Sequence, residues 1–485
     1  MEYADSSFEP GCWGRSSRRP VVMKFGGTSV ADAAAIRRLL EIVLSRASES
    51  PIIVVSAMAG VTDELLALGR AAAAGESTQD RTENFCARHL EVVGQLVAGD
   101  QLFALQKMVQ AEIESLRELL AEMSSERQLT LRSQDRLLSV GECLSSQIVV
   151  AALHSAGIKA VHIDARNCIL TNDRHGEAGP LWEETNHCIR KLVGPQSEAA
   201  LVPVLGGFIA ATRSGVPTTL GRGGSDFTAA IVGAALFASR IEIWTDVDGI
   251  MTTDPNICPD AHLVPEISFD EAAQLAYFGA KVLHPATLVP AVRENIPVYV
   301  RNSRNPKAAG TKISHAVQHP GEVDAIAAKH NIASLEIKPL GPIDSELLAS
   351  LYSVLDRYHC TVELMSCSRN RLSLLVSSAD SLPAVAAELE DLAEVGWENH
   401  KALICLVGES IRRKPEVTQR IYSELGDTEL HLLPQSGSEN SMSFLVEESR
   451  AQYSVQRLHN AFFSAKSPAV FPRSKSLCQA GESWL

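Results

Sequence analysis

The chain has 485 residues, which is too long for one ordinary hydrophobic core, so we expect two or three domains. Apolar residues make up 45% of the sequence and charged residues 21%, which is the balance of a globular protein and excludes a disordered one. The net charge of −14 argues against a nucleic-acid-binding surface, because phosphate binding needs clustered Lys and Arg.

The sequence also predicts a cytoplasmic protein that makes no membrane contact. Its longest uninterrupted apolar run, residues 229–238, is too short to cross a bilayer. Residues 1–20 mix acidic and basic side chains without the apolar stretch of a signal peptide, so we expect a flexible tail there. The ten cysteines have irregular spacing and form no CxxC pair, which is typical of reduced thiols in the cytoplasm.

Short β-forming segments alternate with helical patterns from residue 21 to about residue 311. A strand at 21–25 is followed by a glycine pair and by a helix over 31–44 that is apolar on one face. Further strands are predicted at 52–55, 160–163, 201–205, 241–244 and 297–300. This alternation predicts an α/β sandwich around a mainly parallel sheet, and ligands of such sheets bind beyond the carboxyl ends of the strands.

The pattern changes after about residue 315, where two similar short units follow one another. Each unit has the order strand, helix, strand, strand, which indicates a duplicated small module. The predicted segments are 333–337, 345–358, 361–365 and 371–376 in the first unit (330–395), and 402–407, 415–425, 428–433 and 441–446 in the second (400–465), with a closing helix at 452–462. Residues 466–485 show no clear period, so a second tail is expected there.

The first glycine turn, Gly26-Gly27, directly follows the first predicted strand and its Lys24. Glycines between a strand and a helix let backbone N–H groups approach a phosphate closely, and the start of the helix adds a favourable dipole. Lys24 would add a compact positive charge. Such a turn on its own is often purely structural, and the chain has no GxxxxGK[ST] loop.

The second glycine loop spans residues 218–226 and leads into a predicted helix at 227–237. Three glycines accompany Arg222, Ser225 and Asp226, and an arginine can hold a carboxylate by two parallel hydrogen bonds. Ser225 and Asp226 could instead be plain helix caps. Because caps do not explain the arginine or the three glycines, we expect an anion site.

Two further segments carry weaker signals. The aspartate-rich stretch at 244–255 is consistent with Asx turns, or with polar groups that hold ribose or adenine. The stretch at 278–285 contains Lys281, which by itself is more typical of a solvated charge than of a ligand.

Taken together, these four segments resemble the aspartokinase branch of the amino-acid kinase family. Similar stretches continue at 54–62, 139–142, 164–166, 283–287 and 296–297, so that the resemblance spans about residues 21–314. The duplicated C-terminal unit resembles the tandem ACT modules of the monofunctional, lysine-sensitive type. The resemblance implies an amino-acid kinase αβα sandwich with a mainly parallel central sheet at 21–315, followed by two ferredoxin-like ACT units of βαββ order.

The resemblance also implies an activity and a set of site residues. The activity is phosphoryl transfer from ATP to the side-chain carboxylate of L-aspartate, the first step towards lysine, threonine and methionine. Lys24 would stabilise the transferring phosphoryl group and Asp226 would orient Lys24, while Arg222 would hold the α-carboxylate of aspartate and Glu142 its ammonium. The full implied set is Thr62, Glu142, Arg222 and Ser225 for aspartate, and Lys24, Gly26, Gly27, Thr245, Asp246, Lys281 and the backbone of Val282 for ATP.

The chemistry of this reaction is consistent with the residue types. The nucleophile is already an anion, so no general base is needed, and catalysis should consist of positioning and charge neutralisation. We expect Mg²⁺ to bind mainly through the ATP phosphates, and therefore no dedicated protein metal site.

The sequence departs from the family pattern at a few positions. Met251 and Asn256 stand where the family often has Tyr and Arg that contact nucleotide. Losing a charged contact would weaken ATP binding by about 1–3 kcal/mol, although Lys24 and Lys281 should preserve activity. Near the first ACT helix, Glu363 replaces the usual Asp, and such retained acids would still allow a lysine effector.

The residues leave three alternatives open. A kinase acting on glutamate or a related acid differs by one methylene, which is worth only about 1–3 kcal/mol of discrimination. A catalytically inactive ACT amino-acid sensor is disfavoured by the intact Lys24, Asp226 and Arg222. The region after residue 463 is also consistent with a fused downstream enzyme. Exposed strand edges in the ACT region predict a homodimer.

Overall fold

The computed structural model describes residues 19–278, 285–318, 321–377, 381–426, 428, 431–432 and 438–464. The described chain forms two compact units. Unit 1 contains residues 19–250, 263–277 and 285–318, and unit 2 contains residues 251–262, 278 and those from 321 onward. Apart from residues 19 and 20, the two expected tails lie outside the described residues, as does part of the strand predicted at 428–433.

Unit 1 contains eleven strands in two sheets among its described residues. They are β1 Val21–Phe25, β2 Pro51–Val55, β3 Ala160–Ile163, β4 Leu170–Thr171, β5 Val202–Gly206, β6 Ile209–Thr212, β7 Pro217–Thr219, β8 Arg240–Thr245, β9 Glu266–Ser268, β10 Val298–Asn302 and β11 Thr311–Ser314. The main sheet has the order β3-β5-β2-β1-β8-β10-β11-β9, and β4, β6 and β7 form a small second sheet. All neighbours in the main sheet are parallel except β10 and β11, which confirms the predicted mainly parallel sheet.

Helices connect these strands and cover the sheet. They are α1 Ala33–Ser45, α2 Val61–Ala74, α3 Gln79–Leu96, α4 Gly99–Glu126, α5 Leu131–Ser155, α6 Trp182–Leu192, α7 Gly194–Glu198, α8 Gly224–Ala235, α9 Phe269–Tyr277 and α10 Pro285–Arg293. The predicted helices at 31–44 and 227–237 correspond to α1 and α8. Helix α1 begins where Asp32 accepts a hydrogen bond from the backbone N–H of Ala35, which satisfies one of the free N–H groups at its start.

Helix α5 is the one described helix long and apolar enough to span a bilayer by length and composition. Its most apolar part is 78% buried inside the fold, and it carries the buried acids Asp135 and Glu142. Burial against protein on most sides explains its apolar composition. We therefore interpret α5 as a core helix.

Unit 2 is one six-stranded antiparallel sheet with helices, in the order β13-β14-β12-β15-β17-β16. Its strands are β12 Ala325–Pro339, β13 Val362–Ser368, β14 Arg371–Ser377, β15 Ala393–Val407, β16 His431–Leu432 and β17 Ser441–Glu447. Its helices are α11 Ser345–Arg357, α12 Leu382–Leu389, α13 Pro415–Glu424 and α14 Ala451–Phe463. The two ACT-like halves therefore share a continuous sheet.

The two central strands are longer than the sequence predicts. Strands β12 and β15 have 15 residues each, whereas only 333–337 and 402–407 are predicted as strands. The polar run Lys329-His330-Asn331 resembles a linker, but it lies within β12, where the register with β15 shifts and Asn331 has a φ of 58°. The residues on either side of this irregularity belong to two separate apolar cores, so each long strand contributes to both halves.

Unit 2 also includes a segment that the sequence analysis assigns to the kinase region. Residues 251–262 leave unit 1 after Ile250, and the chain returns to unit 1 at Leu263. Cys258 lies in the apolar core of the second ACT-like half, and the hydroxyl of Thr252 lies 2.9 Å from Nε2 of His459 on α14. This segment is therefore a structural part of unit 2.

Leu39 and Leu44 of α1 provide a matched test of the core of unit 1. Leu39 is fully buried in the main core, whereas Leu44 is 51% exposed on the same helix. We expect Leu39→Ala to lower the free energy of unfolding by about 2–5 kcal/mol, because it leaves a cavity. Leu44→Ala should change it by less than about 0.5 kcal/mol. Urea denaturation followed by circular dichroism measures both, and equal losses would contradict the described packing.

Candidate active site

Four neighbouring parallel strands end at the same level at one edge of the main sheet. Phe25 of β1 pairs with Val55 of β2 and with Trp244 of β8, and Val55 pairs with Gly206 of β5. The turns that follow these strands therefore lie side by side beyond their carboxyl ends, where ligands bind in open parallel sheets. Three of these four ends carry predicted site residues: Gly26 and Gly27 follow β1, Thr62 follows the turn after β2, and Thr245 ends β8.

Backbone hydrogen bonds hold these turns to one another. The N–H of Gly26 donates to the carbonyl of Trp244 at 3.0 Å, and the N–H of Gly207 donates to the carbonyl of Val55 at 2.8 Å. Side-chain bonds add to them, since the Ser29 and Ser303 hydroxyls lie 2.7 Å apart. The turns after β1, β2, β5 and β8 are thus a connected framework, in which Ser29 and Ser303 were not foreseen.

An ion pair joins the two glycine loops. Nζ of Lys24 lies 2.7 Å from Oδ1 of Asp226, and both side chains are mostly buried. Asp226 is in the first turn of α8, whose N-cap is Gly223 with a φ of 71° and no capping side chain. The cap interpretation of Ser225 and Asp226 is therefore not what the structure shows. Asp226 holds Lys24, which itself lies within the buried strand β1.

Close backbone approaches explain two of the glycines near the site. A Cβ on Gly207 would lie 2.7 Å from Cβ of Ser225, and one on Gly206 would lie 3.1 Å from Cβ of Glu142. Any larger residue would displace these neighbours. The end of β5 therefore brings the start of α8 and the middle of α5 into contact with one turn, and so brings Ser225 and Glu142 to the same place.

Glu142 is a buried carboxyl group that forms no ion pair within the described ranges of the chain. Its Oε2 atom has no hydrogen-bond partner among the described residues. Burial raises its pKa to about 8, and a hydrogen bond from the backbone of Ala57 opposes this rise only in part. An approaching cation would favour the ionised form. A buried acid that lacks a cation is thus the expected companion of a ligand ammonium group.

Arg222 and Thr62 differ from Glu142 in being exposed. Arg222 lies between the turn of Gly221 and the start of α8, and no ion pair of its guanidinium is found within the described part of the chain. Thr62 lies at the start of α2, directly after the turn that follows β2. Both side chains are accessible to a ligand at this edge of the sheet.

The residues implied for nucleotide binding are only partly described. Thr245 ends β8, and its carbonyl accepts hydrogen bonds from the backbone N–H and the hydroxyl of Ser303. Asp246 follows it and is exposed. Lys281 and Val282 lie outside the described residues.

The two positions that depart from the family pattern, Met251 and Asn256, lie in the segment that belongs to unit 2. The side chain and backbone N–H of Asn256 both donate to Oδ1 of Asp254, which is an Asx turn of the kind weighed for this stretch.

A buried acid in the middle of β8 was also missed by sequence reasoning. Glu242 accepts hydrogen bonds from Arg240 at 2.7 Å and from the indole N–H of Trp244 at 3.1 Å, and Arg46 and Arg301 lie within 3.8 Å. These contacts compensate the burial of the charge and fix the strand that ends at Thr245. An acid that interrupts an otherwise apolar strand was the available signal.

No cluster of three or more His, Cys, Asp or Glu side chains suited to a metal ion occurs in the part of the chain that the structure describes. Of the acids beside the proposed phosphate turns, Asp226 is paired with Lys24 and Asp246 is exposed. Two separate carboxylates suit a hard cation that retains water and phosphate ligands better than they suit a closed protein cage.

Comparison with known proteins identifies the family. Residues 19–302 match the amino acid kinase family and residues 404–462 match the ACT domain. The chain is 36% identical over 456 residues to lysine-sensitive aspartokinase 3 of Escherichia coli, covering 91% of this chain and 99% of that protein. The chain belongs to the aspartokinases of the amino acid kinase family. It is also 36% identical over 462 residues to a chloroplastic aspartokinase 3 of Arabidopsis thaliana, covering 91% and 81% of the two chains.

Solved aspartokinase structures have the same fold. E. coli aspartokinase III in complex with aspartate and ADP superposes with a TM-score of 0.79 at 34% identity, covering 92% of this chain and all of that one. The same enzyme in complex with lysine and aspartate gives a TM-score of 0.78 at 34% identity, covering 92% and 99%. These comparisons confirm the predicted aspartokinase fold with its C-terminal ACT region.

The raised pKa of Glu142 predicts a pH-dependent affinity for an amino-acid substrate. Below about pH 8 the carboxyl group is mainly protonated, so pairing with an ammonium group first requires loss of that proton. The KM for aspartate should therefore fall as the pH rises from 7 to 9. Glu142→Gln should remove this dependence and raise KM by about tenfold or more, since it removes a hydrogen bond to a charged group. Steady-state kinetics across the pH range measure both effects.

The same substitution has an opposite effect on stability. Because the folded pKa of about 8 exceeds the ordinary 4.5, the wild-type protein loses stability as the pH rises from about 4.5 to 8. Glu142→Gln should lack that loss, which separates a binding defect from misfolding. Glu112→Gln is the matched control, because burial also raises the pKa of Glu112 on α4. It should leave the KM for aspartate and its pH dependence unchanged. A KM that is equally sensitive to pH in Glu142→Gln would contradict the role of Glu142.

Proposed function

We propose that this chain is an aspartate kinase that converts ATP and L-aspartate into ADP and 4-phospho-L-aspartate, a reaction of amino-acid biosynthesis. The observation that supports it most directly is the Lys24–Asp226 ion pair at 2.7 Å, because it joins the two glycine loops at the ligand-binding edge of the sheet. Glu142, with an unpaired buried oxygen, and the exposed Arg222 accompany this pair.

The central problem of the reaction is the approach of two anions. The attacking carboxylate and the ATP phosphates repel one another, and phosphoryl transfer is accelerated mainly by positioning and charge stabilisation. Lys24 supplies a fixed positive charge at the end of β1, and Asp226 keeps its ammonium group in place. No residue needs to act as a general base, because the nucleophile is already ionised.

The substrate amino acid is proposed to be held at both of its α-substituents. Arg222 binds the α-carboxylate, for which the planar guanidinium fork is well suited. Glu142 binds the α-ammonium, which replaces the missing partner of its carboxylate. Thr62 and Ser225 supply hydroxyl groups at neighbouring turns. With both α-groups held, the side-chain carboxylate is the part left to react.

The nucleotide is proposed to bind along the ends of β1 and β8. The turn of Gly26 and Gly27 after Lys24 lines the phosphates, while the N–H of Gly26 itself stays bonded to the carbonyl of Trp244. Thr245 and Asp246 hold the remainder together with Lys281 and Val282. Bound Mg²⁺ would neutralise phosphate charge and would be held mainly by the phosphates. We retain the cytoplasm as the proposed location, since all eight described cysteines are free thiols.

The alternative functions receive less support. Glutamate offers the same α-groups, so only the distance from them to the phosphoryl group distinguishes it from aspartate, and that discrimination is worth about 1–3 kcal/mol. A catalytically inactive sensor would not need the buried Lys24–Asp226 pair, whose burial is costly without a ligand-related role. Aspartate phosphorylation is therefore the function that the site favours.

Regulation is proposed to occur through unit 2, with lysine as effector and a homodimer as the assembly. Strand β13 is an end strand of the six-stranded sheet, so its outer edge can pair with a second copy. Glu363 of β13 is buried, and its carboxylate lies 2.6 Å from Nζ of Lys329 on β12. This acid thus already binds one lysine ammonium group, and an effector ammonium would have to replace it.

Lys24→Ala tests the proposed catalysis. We expect aspartate-dependent hydroxamate formation to fall by at least about a hundredfold, because the positive charge that stabilises the transferring phosphoryl group is lost. Lys107→Ala, on the exposed face of α4, should retain wild-type turnover. Wild-type protein should prefer aspartate over glutamate by about tenfold or more in kcat/KM. Retained turnover in Lys24→Ala would remove Lys24 from the mechanism, and an equal preference for glutamate would replace the proposed substrate.

The regulatory proposal is tested by an effector panel with light scattering. We expect lysine to inhibit more strongly than threonine or methionine, because Glu363 accepts an ammonium side chain. The mass in solution should be twice the 52.3 kDa of one chain at micromolar concentration. A monomer in the presence of lysine would contradict the dimer, and inhibition by threonine alone would contradict the effector assignment.

A further inference from the structure

Asp135 is a fully buried carboxylate that the proposed reaction does not use. It lies on α5 seven residues before Glu142, so that the two acids are about 10 Å apart along the helix and on the same face. A buried charge is costly unless hydrogen bonds compensate it. The groups that donate hydrogen bonds to Asp135 therefore show which segments this carboxylate holds in place.

Three donors from two other segments converge on this carboxylate. Oδ1 accepts from the hydroxyl of Thr219 at 2.5 Å, Oδ2 lies 2.7 Å from Nδ1 of His175, and the N–H of Gly176 donates at 3.1 Å. Thr219 is the last residue of β7, and His175 and Gly176 belong to the turn at 175–177. Asp135 thus ties a strand and a turn to helix α5.

These two segments position the loop that carries Arg222. The N–H of Ala178 donates to the carbonyl of Thr219 at 2.9 Å, which joins the turn to the end of β7. Gly221 packs directly on the turn, since a Cβ there would lie 3.1 Å from Cγ of Glu177 and 3.4 Å from the carbonyl oxygen of Gly176. Arg222 is the next residue and has an exposed side chain. The position of Arg222 therefore depends on the backbone of Gly221, which packs on the turn at 175–177.

We propose that Asp135 is a positioning residue for substrate binding: together with His175 and Thr219 it fixes the loop of Arg222 relative to Glu142. Both reference points lie on α5, because Glu142 is part of the helix and the loop is tied to Asp135 two turns earlier. Helix α5 therefore sets the span between the group that binds the α-carboxylate and the group that binds the α-ammonium. This inference rests on the proposed aspartate kinase function.

A purely structural role is the competing explanation, and kinetics distinguish the two. Loss of a structural contact lowers the stability and the amount of active enzyme, and so lowers kcat without a selective effect on one substrate. Loss of a positioning contact raises the KM for aspartate and leaves the KM for ATP unchanged, because Gly27 and Thr245 lie at the ends of β1 and β8, whereas the partners of Asp135 lie on β7 and on the turn at 175–177. In a variant that already lacks Arg222, loss of the positioning contact should not raise the KM for aspartate further.

The test compares the full-length variants Asp135→Asn, Thr219→Val, Arg222→Ala and the double variant Asp135→Asn/Arg222→Ala. Asp135→Asn should raise the KM for aspartate about tenfold, because hydrogen bonds to a buried charge are lost, with the KM for ATP within about twofold of wild type. Arg222→Ala should raise it further, and the double variant should match Arg222→Ala alone, since contacts in one network are not additive. Thr219→Val removes a single donor and should show the same selective change at smaller size.

Thr185→Val is the matched control. Thr185 on α6 is also buried, and its hydroxyl donates a hydrogen bond to the backbone carbonyl of Leu170 on β4. Within the described part of the chain, Thr185 forms no hydrogen bond with Asp135. It should leave both KM values unchanged. The proposal is overturned if Asp135→Asn and Thr219→Val leave the KM for aspartate unchanged, if they change both KM values equally, or if the effects of Asp135→Asn and Arg222→Ala multiply in the double variant. If Asp135→Asn does not fold, Thr219→Val decides by the same criteria.

Failure of the proposed function gives a different result. If the wild-type enzyme forms no hydroxamate with aspartate while another amino acid serves, the substrate assignment fails, and the positioning role is then judged by the KM for that amino acid. If the wild type accepts aspartate and the variants show no selective rise in KM, the inference alone is wrong.

Discussion

The site depends on one buried ion pair, Lys24 with Asp226. Neither charge would be stable where it lies without the other, since each comes from an element that is otherwise buried against the sheet. Their contact obliges the end of β1 and the start of α8 to meet. Close backbone approaches near this contact also leave no room for a side chain at Gly207, where a Cβ would lie 2.7 Å from Cβ of Ser225.

The level ends of four parallel strands convert this local contact into a site. Each strand contributes one turn, and the turns are joined by backbone hydrogen bonds such as that from Gly26 to Trp244. Rigidity of this kind matters for a reaction between two anions, because electrostatic stabilisation is effective only when the charges need not reorganise during transfer. Glu142 adds a complementary feature, since burial raises its pKa to about 8 and a ligand cation would stabilise its ionised form.

Much of this arrangement could be predicted because glycine and charge mark strand ends clearly. Strand β1 was predicted with its observed bounds, since the Gly26-Gly27 pair stops an apolar run. The same signals predict Lys24, Arg222 and Asp226 at one edge of the sheet, and Lys24 and Asp226 form an ion pair there. Lys281 and Val282 remain predictions, since they lie outside the described residues.

Other features could not be predicted because their cause is tertiary. Asp135 lies in a polar stretch that reads as the exposed start of a helix, and only the distant Thr219 and His175 show that it is buried. The run Lys329-His330-Asn331 reads as a linker, yet pairing with β15 continues on both sides of it. Sequence periodicity reports the face that an element buries, and it does not report partners that are far away in the chain.

The placement of residues 251–262 has a consequence for regulation. This segment begins six residues after Thr245, at the proposed nucleotide site, and it is built into the second ACT-like core through Cys258 and Thr252. Rearrangement of that core would therefore move a short stretch that is covalently continuous with β8. In the proposed regulation, an effector would act by binding alternative packings of this core with different affinity.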